Sequence, residues 1–380
     1  MRTISAILGG VLILFVLWEG FETVVLPRRV IRRIRLTRFF YRCTWLPFAA
    51  IVRRVLPSKH QESYLGFFGP LSLPLLLGVW ACGMVTGFGL LYWANAASFK
   101  ALQGTPGFLT VLYLSGTTFF TLGLGDITPI TPLTRALTVI ETGLGFGFLA
   151  LVLSYLPALN QSFARREVPI TLLDARAGSP PTAVEMLRRH QTEEGKEALR
   201  QLLYEWEHWS AELLESHLSY PVLAYFRSQH DNQSWLAALT AILDTCALII
   251  VGLEGACKRQ AQLTFAMARH AAVDIAIVFR RHPATPDPSR LSEDASARML
   301  AALTEAGLQF PHVPDWELRL GELRQMYEPY AYALSRYLQM RMPPWIPEIE
   351  RPDYWQTSPW DKGTARQNQL FQDEHINKHF

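Results

Sequence analysis

The sequence predicts an all-α membrane protein, with a membrane-embedded helical part over its first 160 residues and a mainly helical cytoplasmic domain after it. Three observations carry this. The first 160 residues are far more apolar than the rest, although the whole chain is only 49% hydrophobic with a mean hydropathy of +0.10. Arginines crowd the stretch directly after the first apolar run. Beyond residue 160, apolar residues recur at helical spacing, and only 168–173 (VPITLL) reads as a short strand. A length of 380 residues suits one membrane unit and one soluble unit.

Residues 1–27 read as an N-terminal transmembrane anchor. The apolar run 4–26 would extend about 34 Å as a helix, enough to cross the hydrocarbon core. It continues through Glu19 and Glu22 to Val24, Val25 and Leu26 without the small-residue cleavage site of a signal peptide. Glu19 and Glu22 lie three apart near the basic end, where they can reach the interface or pair with arginines.

Residues 28–62 form a basic amphipathic cytoplasmic segment. Between Pro27 and His60 there are ten cationic residues (Arg28, Arg29, Arg32, Arg33, Arg35, Arg38, Arg42, Arg53, Arg54, Lys59) and no carboxylate. Such a run can attract nucleic acid or anionic lipid. Its place after an apolar helix, and its interleaved Phe39, Phe40, Tyr41, Trp45 and Phe48, select membrane lipids of anionic type at 28–59 and no nucleic acid. The basic stretch is not a long apolar span, so no voltage-sensing helix is expected.

Residues 63–160 form one unit. Its outer helix, 66–95, has no charged residue, and Tyr92 and Trp93 mark its far interface. The apolar segment 107–120 is too short to cross the membrane and fits a re-entrant helix. A third span, 132–157, carries only Arg135 and Glu141 as charges. The basic residues after the first span, with Arg165 and Arg166 after the third, put the N-terminus outside and everything beyond 160 in the cytoplasm, in a cell membrane of the bacterial inner-membrane type.

The cytoplasmic domain spans 161–345 and a Pro/Trp-rich charged tail spans 346–380. Thr182 followed by Glu185 is a capping box for a short helix to about His190. Helices are expected over 192–217, 235–258 and 263–281, near 292 onward, and over 315–340. Trp235–Ala256 is apolar enough to be a fourth span, but Asp244 would then lie near the bilayer centre at a cost of about 3 kcal/mol. A buried helix in a soluble bundle is the better reading.

Chemistry concentrates in SGTTFFTLGLGDITP, from Ser115. Its centre is Thr121, Leu122, Gly123, Leu124, Gly125 and Asp126, the filter at 121–126. A cation filter needs successive backbone carbonyls aimed the same way, which no regular helix or strand provides. Glycine at alternate positions, Gly123 and Gly125, permits it, and the Thr121 hydroxyl adds an inner oxygen. The preceding half-length helix and following full span give this short motif its weight.

In these residues the sequence resembles the tetrameric potassium channel superfamily in its minimal bacterial form, whose filter reads TVGYGD or TVGFGD. The resemblance covers residues 66–157 and implies a potassium-channel-like pore domain with a pore helix at 107–120 and an inner helix at 132–157. It implies K+ as the permeant ion, held by carbonyls of Thr121, Leu122, Gly123 and Leu124, and a hinge at Gly145. Filter support falls to Tyr113, Thr117, Thr118, Phe120 and Glu141. There are departures: Phe120 replaces the usual threonine, Thr117 replaces the pore-helix carboxylate, and Leu114 replaces an aromatic. They weaken polar bracing behind the filter and leave the carbonyl row intact. Glu141 is an intramembrane carboxylate, and so a functional residue by default. It can face the cavity, brace the filter or simply pack, and the resemblance places it on a face that does not line the pore, which favours the brace.

One chain supplies one filter segment, and a closed ring needs four, so a homotetramer is expected. The expected function is passive, potassium-selective conduction. The alternatives are a weakly selective cation channel on the same scaffold, or a membrane-anchored scaffold or sensor with a silent pore. No P-loop, HExxH or dinucleotide fingerprint is present, so neither an enzyme nor a cofactor is expected. The four cysteines (Cys43, Cys82, Cys246, Cys257) form no CxxC pair. His208 and His217 lie near Glu205, Glu207, Glu212 and Glu215; they read as a solvated helix face, with a metal site as the alternative. His270 and Asp274 read as a satisfied i,i+4 pair. A ligand or protein partner of the cytoplasmic domain stays open.

Overall fold

The computed structural model describes residues 2–26, 35–101, 105–229, 233–252, 256–308 and 315–347. Arg28, Arg29, Arg32 and Arg33 of the basic run, and the tail beyond 347, lie outside the described residues. The chain is almost wholly α-helical and divides into two compact units, Met1–Pro57 with Phe67–Gln161 and Ser58–Gly66 with Ser162–Phe380.

In the first unit, α1 (Arg2–Gly20) ends in a π-helical turn, Phe21–Val25. Then come α2 (Leu36–Val55), α4 (Phe68–Ala94), strand β1 (Phe99–Lys100), α5 (Phe108–Phe119), strand β2 (Thr128–Pro129) and the first part of α6 (Pro132–Ala177). The short α3 (Ser58–Gly66) belongs to the second unit. Small residues let α1 and α4 approach. A β-carbon on Gly9 would lie 2.5 Å from the Gly87 carbonyl oxygen, and one on Gly83 would lie 2.8 Å from Val16. Gly83 and Gly87 form the small-xxx-small spacing by which membrane helices meet closely.

The amphipathic pattern of α2 buries Phe40, Tyr41, Trp45, Ala49 and Val52 and exposes Arg42, Arg53 and Arg54. Trp45 and Phe48 pack on Phe68 of α4 with ring centroids 4.8 and 5.4 Å apart. At the foot of α1, Glu19 accepts hydrogen bonds from the amide and hydroxyl of Thr37, both at 3.2 Å, and Glu22 lies 3.9 Å from Arg35. The two carboxylates are thus answered by the chain that follows them.

In the second unit α6 continues, and 168–173 is helix, not strand. Its β-branched residues and Pro169 suggest an extended segment, yet Arg166, Ile170, Leu173 and Ala177 repeat every three or four residues and are buried. Burial of that helical face overrides local propensity. The inner helix accordingly ends at Ala177 rather than at 157. Then follow α7 (Ala183–Arg189), α8 (Glu193–Ser219), α9 (Trp235–Gly252), α10 (Ala256–Val278), α11 (Glu293–Glu305), α12 (Trp316–Gln325) and α13 (Glu328–Leu338). The Thr182 side chain caps α7 by accepting from the Glu185 amide at 3.3 Å.

Among the described residues four helices are long and apolar enough to cross a membrane, and burial separates them. Within the chain, 94% of the apolar window of α9 is buried, against 11% for α6. So α9 is the core of a helical bundle outside the spans. Its Asp244 is fully buried, ion-paired with Arg290 at 2.6 Å and hydrogen-bonded by the Tyr327 hydroxyl at 2.5 Å. Arg290 also pairs with Glu328 at 3.1 Å and donates to the Pro343 carbonyl at 2.7 Å. Burial alone would lower the Arg290 guanidinium, but Asp244 outweighs that and holds it above its ordinary range.

Candidate functional site

The last turn of α5 launches residues 121–126, the segment expected to form the filter. The Thr117 carbonyl accepts the amides of Leu122 at 2.7 Å and Gly123 at 3.3 Å, and the Thr118 carbonyl accepts that of Thr121 at 3.0 Å. These bonds turn the chain back from the helix end. The following residues adopt no regular structure.

Thr121, Gly123 and Gly125 have φ of 61°, 54° and 79°, whereas Leu122 and Leu124 are not in that region. Every second residue is therefore left-handed, the alternation that lets successive carbonyls share one direction. Glycine takes such a conformation without cost. A β-branched threonine is strained by about 1–3 kcal/mol, a pattern found at functional sites. No atom lies within 4 Å of where a β-carbon on Gly123 would be, so the demand there is conformational, not steric.

Beyond Asp126 the chain enters the β1–β2 ribbon, in which Phe99 pairs with Pro129 and Lys100 with Thr128. The Ile130 amide donates to the Ser98 carbonyl at 2.9 Å. This fastens the chain after residues 121–126 to the chain entering from α4.

Glu141 of α6 is fully buried and takes a hydrogen bond at 2.5 Å from the Ser115 hydroxyl of α5 and another from the Tyr92 hydroxyl of α4. Ser115 also reaches the Val85 carbonyl at 2.8 Å. One carboxylate thus joins outer, short and long helices. Tyr113 hydrogen-bonds to Asp126. The Thr117 hydroxyl instead turns onto its own helix, donating to the Leu114 carbonyl at 2.9 Å. Phe120 is exposed, and its ring meets Phe119 edge-on at 5.4 Å. Thr118 is buried.

Gly145 sits against the end of α5. A β-carbon there would lie 1.9 Å from the Phe119 carbonyl oxygen and 2.8 Å from its carbonyl carbon. α6 runs through this point without a break.

Sequence reasoning missed Tyr92 and Ser115 as partners of Glu141. They lie 49 and 26 residues away from it, and no periodicity links such positions. The Gly83/Gly87 spacing was a usable signal for the α1–α4 contact.

The histidines fall elsewhere. His208 is exposed against Tyr204, but His217 is wholly buried, correcting its reading as part of a solvated face. Its Nδ1 donates to the Leu213 carbonyl at 2.7 Å, its ring lies tilted against that of Trp235 with centroids 4.9 Å apart, and its Nε2 has no partner among the described residues. Burial, helped by the charge of Arg166, pushes its imidazole down to about 3. His270 and Asp274 pair at 3.5 Å. No group of three metal-ligating side chains occurs among the described residues.

Residues 80–161 match a family described as ion channel. Over 200 residues, 50% of the chain, the protein is 28% identical to the uncharacterized membrane protein YdjJ of Bacillus subtilis (strain 168), and covers 56% of it. Over 132 residues, 34% of the chain, it is 28% identical to two-pore potassium channel 2 of Arabidopsis thaliana, and covers 28% of it. The chain thus spans little more than half of one curated relative and under a third of the other. No solved structure gives a significant match. The matched stretch runs from within α4 through α5 and residues 121–126 to Gln161 of α6. It describes an ion-channel-like stretch in a multi-pass membrane protein.

Proposed function

We propose that the chain is one subunit of a homotetrameric, potassium-selective channel that conducts K+ passively through the cell membrane. The permeant ion is held by carbonyls of Thr121, Leu122, Gly123 and Leu124. The observation that carries this reading is the alternation of left-handed φ at Thr121, Gly123 and Gly125 between a half-length helix and a long apolar one. The match to an ion-channel family over the same residues supports it, as does the relative whose name is that of a potassium channel. The sparse burial of α6 within one chain is what a subunit with missing neighbours would show.

In this reading Glu141 braces the back of the filter, and Tyr113 braces its outer end through Asp126. Gly145 is the flexible point of α6 as well as its place of closest approach. The exposed arginines of α2 face anionic headgroups, and the second unit is cytoplasmic.

A weakly selective cation channel is the second reading. It is favoured by Thr117, which spends its hydroxyl on its own helix rather than on the filter. Reversal potentials of the purified protein in planar bilayers, with K+ on one side and Na+ on the other, test both. A large K+-directed potential is expected. A potential near zero with robust current would replace the first reading by the second. Absence of current from verified tetramer would support a silent scaffold.

A further inference from the structure

Within the second unit, residues 162–166 of α6 and the C-terminal part of α8 line a cavity of about 350 Å³. That lies at the small end of the range for small-molecule sites, about 300–1,000 Å³. Its floor is apolar. Trp209 and Leu213, four apart on α8, are buried there. The Trp209 indole is fixed by donating to the Arg166 carbonyl at 3.0 Å.

The walls carry charge of both signs. Arg165 is exposed, and among the described residues its guanidinium makes one hydrogen bond, to Ser162 at 3.5 Å. Glu212 and Glu215 line the same cavity, and among the described residues neither carboxylate has an ion pair or a hydrogen bond. Elsewhere on α8 the carboxylates of Glu193, Glu197 and Glu205 are answered by Lys196, Arg200 and Arg176. Arg166 also lines the cavity, but its guanidinium is spent. It pairs with Glu167 at 2.8 Å and donates to the Leu223 and Phe226 carbonyls at 2.7 and 3.0 Å. An uncommitted charge on an open surface calls for no explanation. Uncommitted charges of both signs that line one cavity, above an aromatic floor, do.

We propose that this cavity binds a free amino acid as its zwitterion. The ligand carboxylate takes Arg165, its ammonium takes Glu212 and Glu215, and its side chain lies over Trp209 and Leu213. A lone anion would meet two carboxylates, and a lone cation would meet the guanidinium. A molecule carrying both charges answers both walls with charge-assisted hydrogen bonds. Two carboxylates without a third ligating side chain among the described residues hold a divalent cation poorly.

The test is isothermal titration of the purified full-length protein with the common L-amino acids, offered singly. The tightest binder is then compared with its methyl ester, which keeps only the ammonium, and its N-acetyl derivative, which keeps only the carboxylate. Arg165→Gln and the double variant Glu212→Gln/Glu215→Gln are titrated in parallel. Glu194→Gln, exposed on α8 and outside the cavity lining, is the control. The expected result is saturable binding, weakened about tenfold or more by either derivative and by either cavity variant, and unchanged in Glu194→Gln. Absence of binding by every amino acid would overturn the proposal. An ester or N-acetyl derivative that binds as tightly would overturn the zwitterion. Undiminished binding by both cavity variants would overturn the location. Should a cavity variant melt early without ligand, the two derivatives decide on the unsubstituted chain. None of these measurements involves conduction, so their failure would leave the channel reading standing.

Discussion

The α-carbon of Gly145 faces the carbonyl oxygen of Phe119 so closely that a β-carbon on it would lie 1.9 Å from that oxygen. The long helix therefore touches the end of the short one backbone to backbone, just before residues 121–126. Gly145→Ala should force them apart. Overpacking costs about 1–3 kcal/mol in ordinary cores, and a clash with backbone falls at the upper end. Thermal unfolding in detergent should start several degrees lower, and K+ flux should fall. A variant that melts and conducts like the unsubstituted protein would refute the close approach.

Gly123→Ala should abolish K+ flux while assembly survives. Alanine at φ of 54° costs about 1 kcal/mol in each subunit. The larger effect is on the carbonyls of Thr121–Leu124, which would turn away from one direction. Flux into proteoliposomes, compared at equal tetramer, reads the outcome. Unchanged flux would remove the filter assignment. Thr121→Ala is the gentler companion, since it removes only the hydroxyl.

Glu141→Ala should be worse than Glu141→Gln. Alanine leaves the Tyr92 and Ser115 hydroxyls buried without their acceptor, at about 1–3 kcal/mol each. Glutamine keeps one carbonyl oxygen and stays near in shape. The expected order in melting temperature and flux is unsubstituted, then Gln, then Ala. If Ala matched the unsubstituted protein in both, the carboxylate would be a packing residue only.

Asp244→Ala should destabilise the helical bundle by about 3–5 kcal/mol, because Arg290 would stay buried with one carboxylate partner removed. Asp244→Asn should cost less, since it retains an acceptor for Tyr327. Tryptophan fluorescence during denaturant unfolding reads this well, because Trp206, Trp209, Trp235 and Trp345 are buried in the same unit. Equal midpoints for Ala and the unsubstituted chain would mean the ion pair contributes nothing.

His217 makes the bundle acid-sensitive. Its folded value of about 3 lies below the unfolded value of 6.5, so the unfolded state binds the extra proton between those limits. Its contribution is full above pH 6.5 and is lost as pH falls toward 3. Going from pH 7 to pH 5 should cost about 2 kcal/mol from this group. His217→Leu should flatten that part of the pH profile. An unchanged slope in the variant would assign the acid sensitivity elsewhere.

Much of this architecture was legible in the chain. Apolar run length marked α1, α4 and α6, and the half-length run marked α5. The Thr182 cap and the breaks after Ser219 and before Trp235 were readable locally. What escaped depended on neighbours. The VPITLL stretch is helix because its Ile170 and Leu173 meet a bundle that no local pattern announces. His217 reads as polar surface in a helix full of glutamates, but one turn of register puts it against Trp235. Glu141 was visible as an isolated charge, while its partners were not, since Tyr92 and Ser115 reach it only through the tertiary fold.

The burial of α9 has a consequence for how the protein is made. As the chain leaves the ribosome, Trp235–Gly252 is as apolar as the true spans, with a hydropathy of 2.0 against 1.8 to 2.1. Arg290 is 46 residues further on and still unsynthesised. At that moment Asp244 is the chief obstacle to insertion, worth about 3 kcal/mol at a helix centre. The carboxylate would thus act twice: first by keeping a greasy helix out of the translocon, and later by pairing in the finished bundle. An insertion reporter fused after α9 would show the Asp244→Leu chain entering the membrane during synthesis, before any question of folded stability arises.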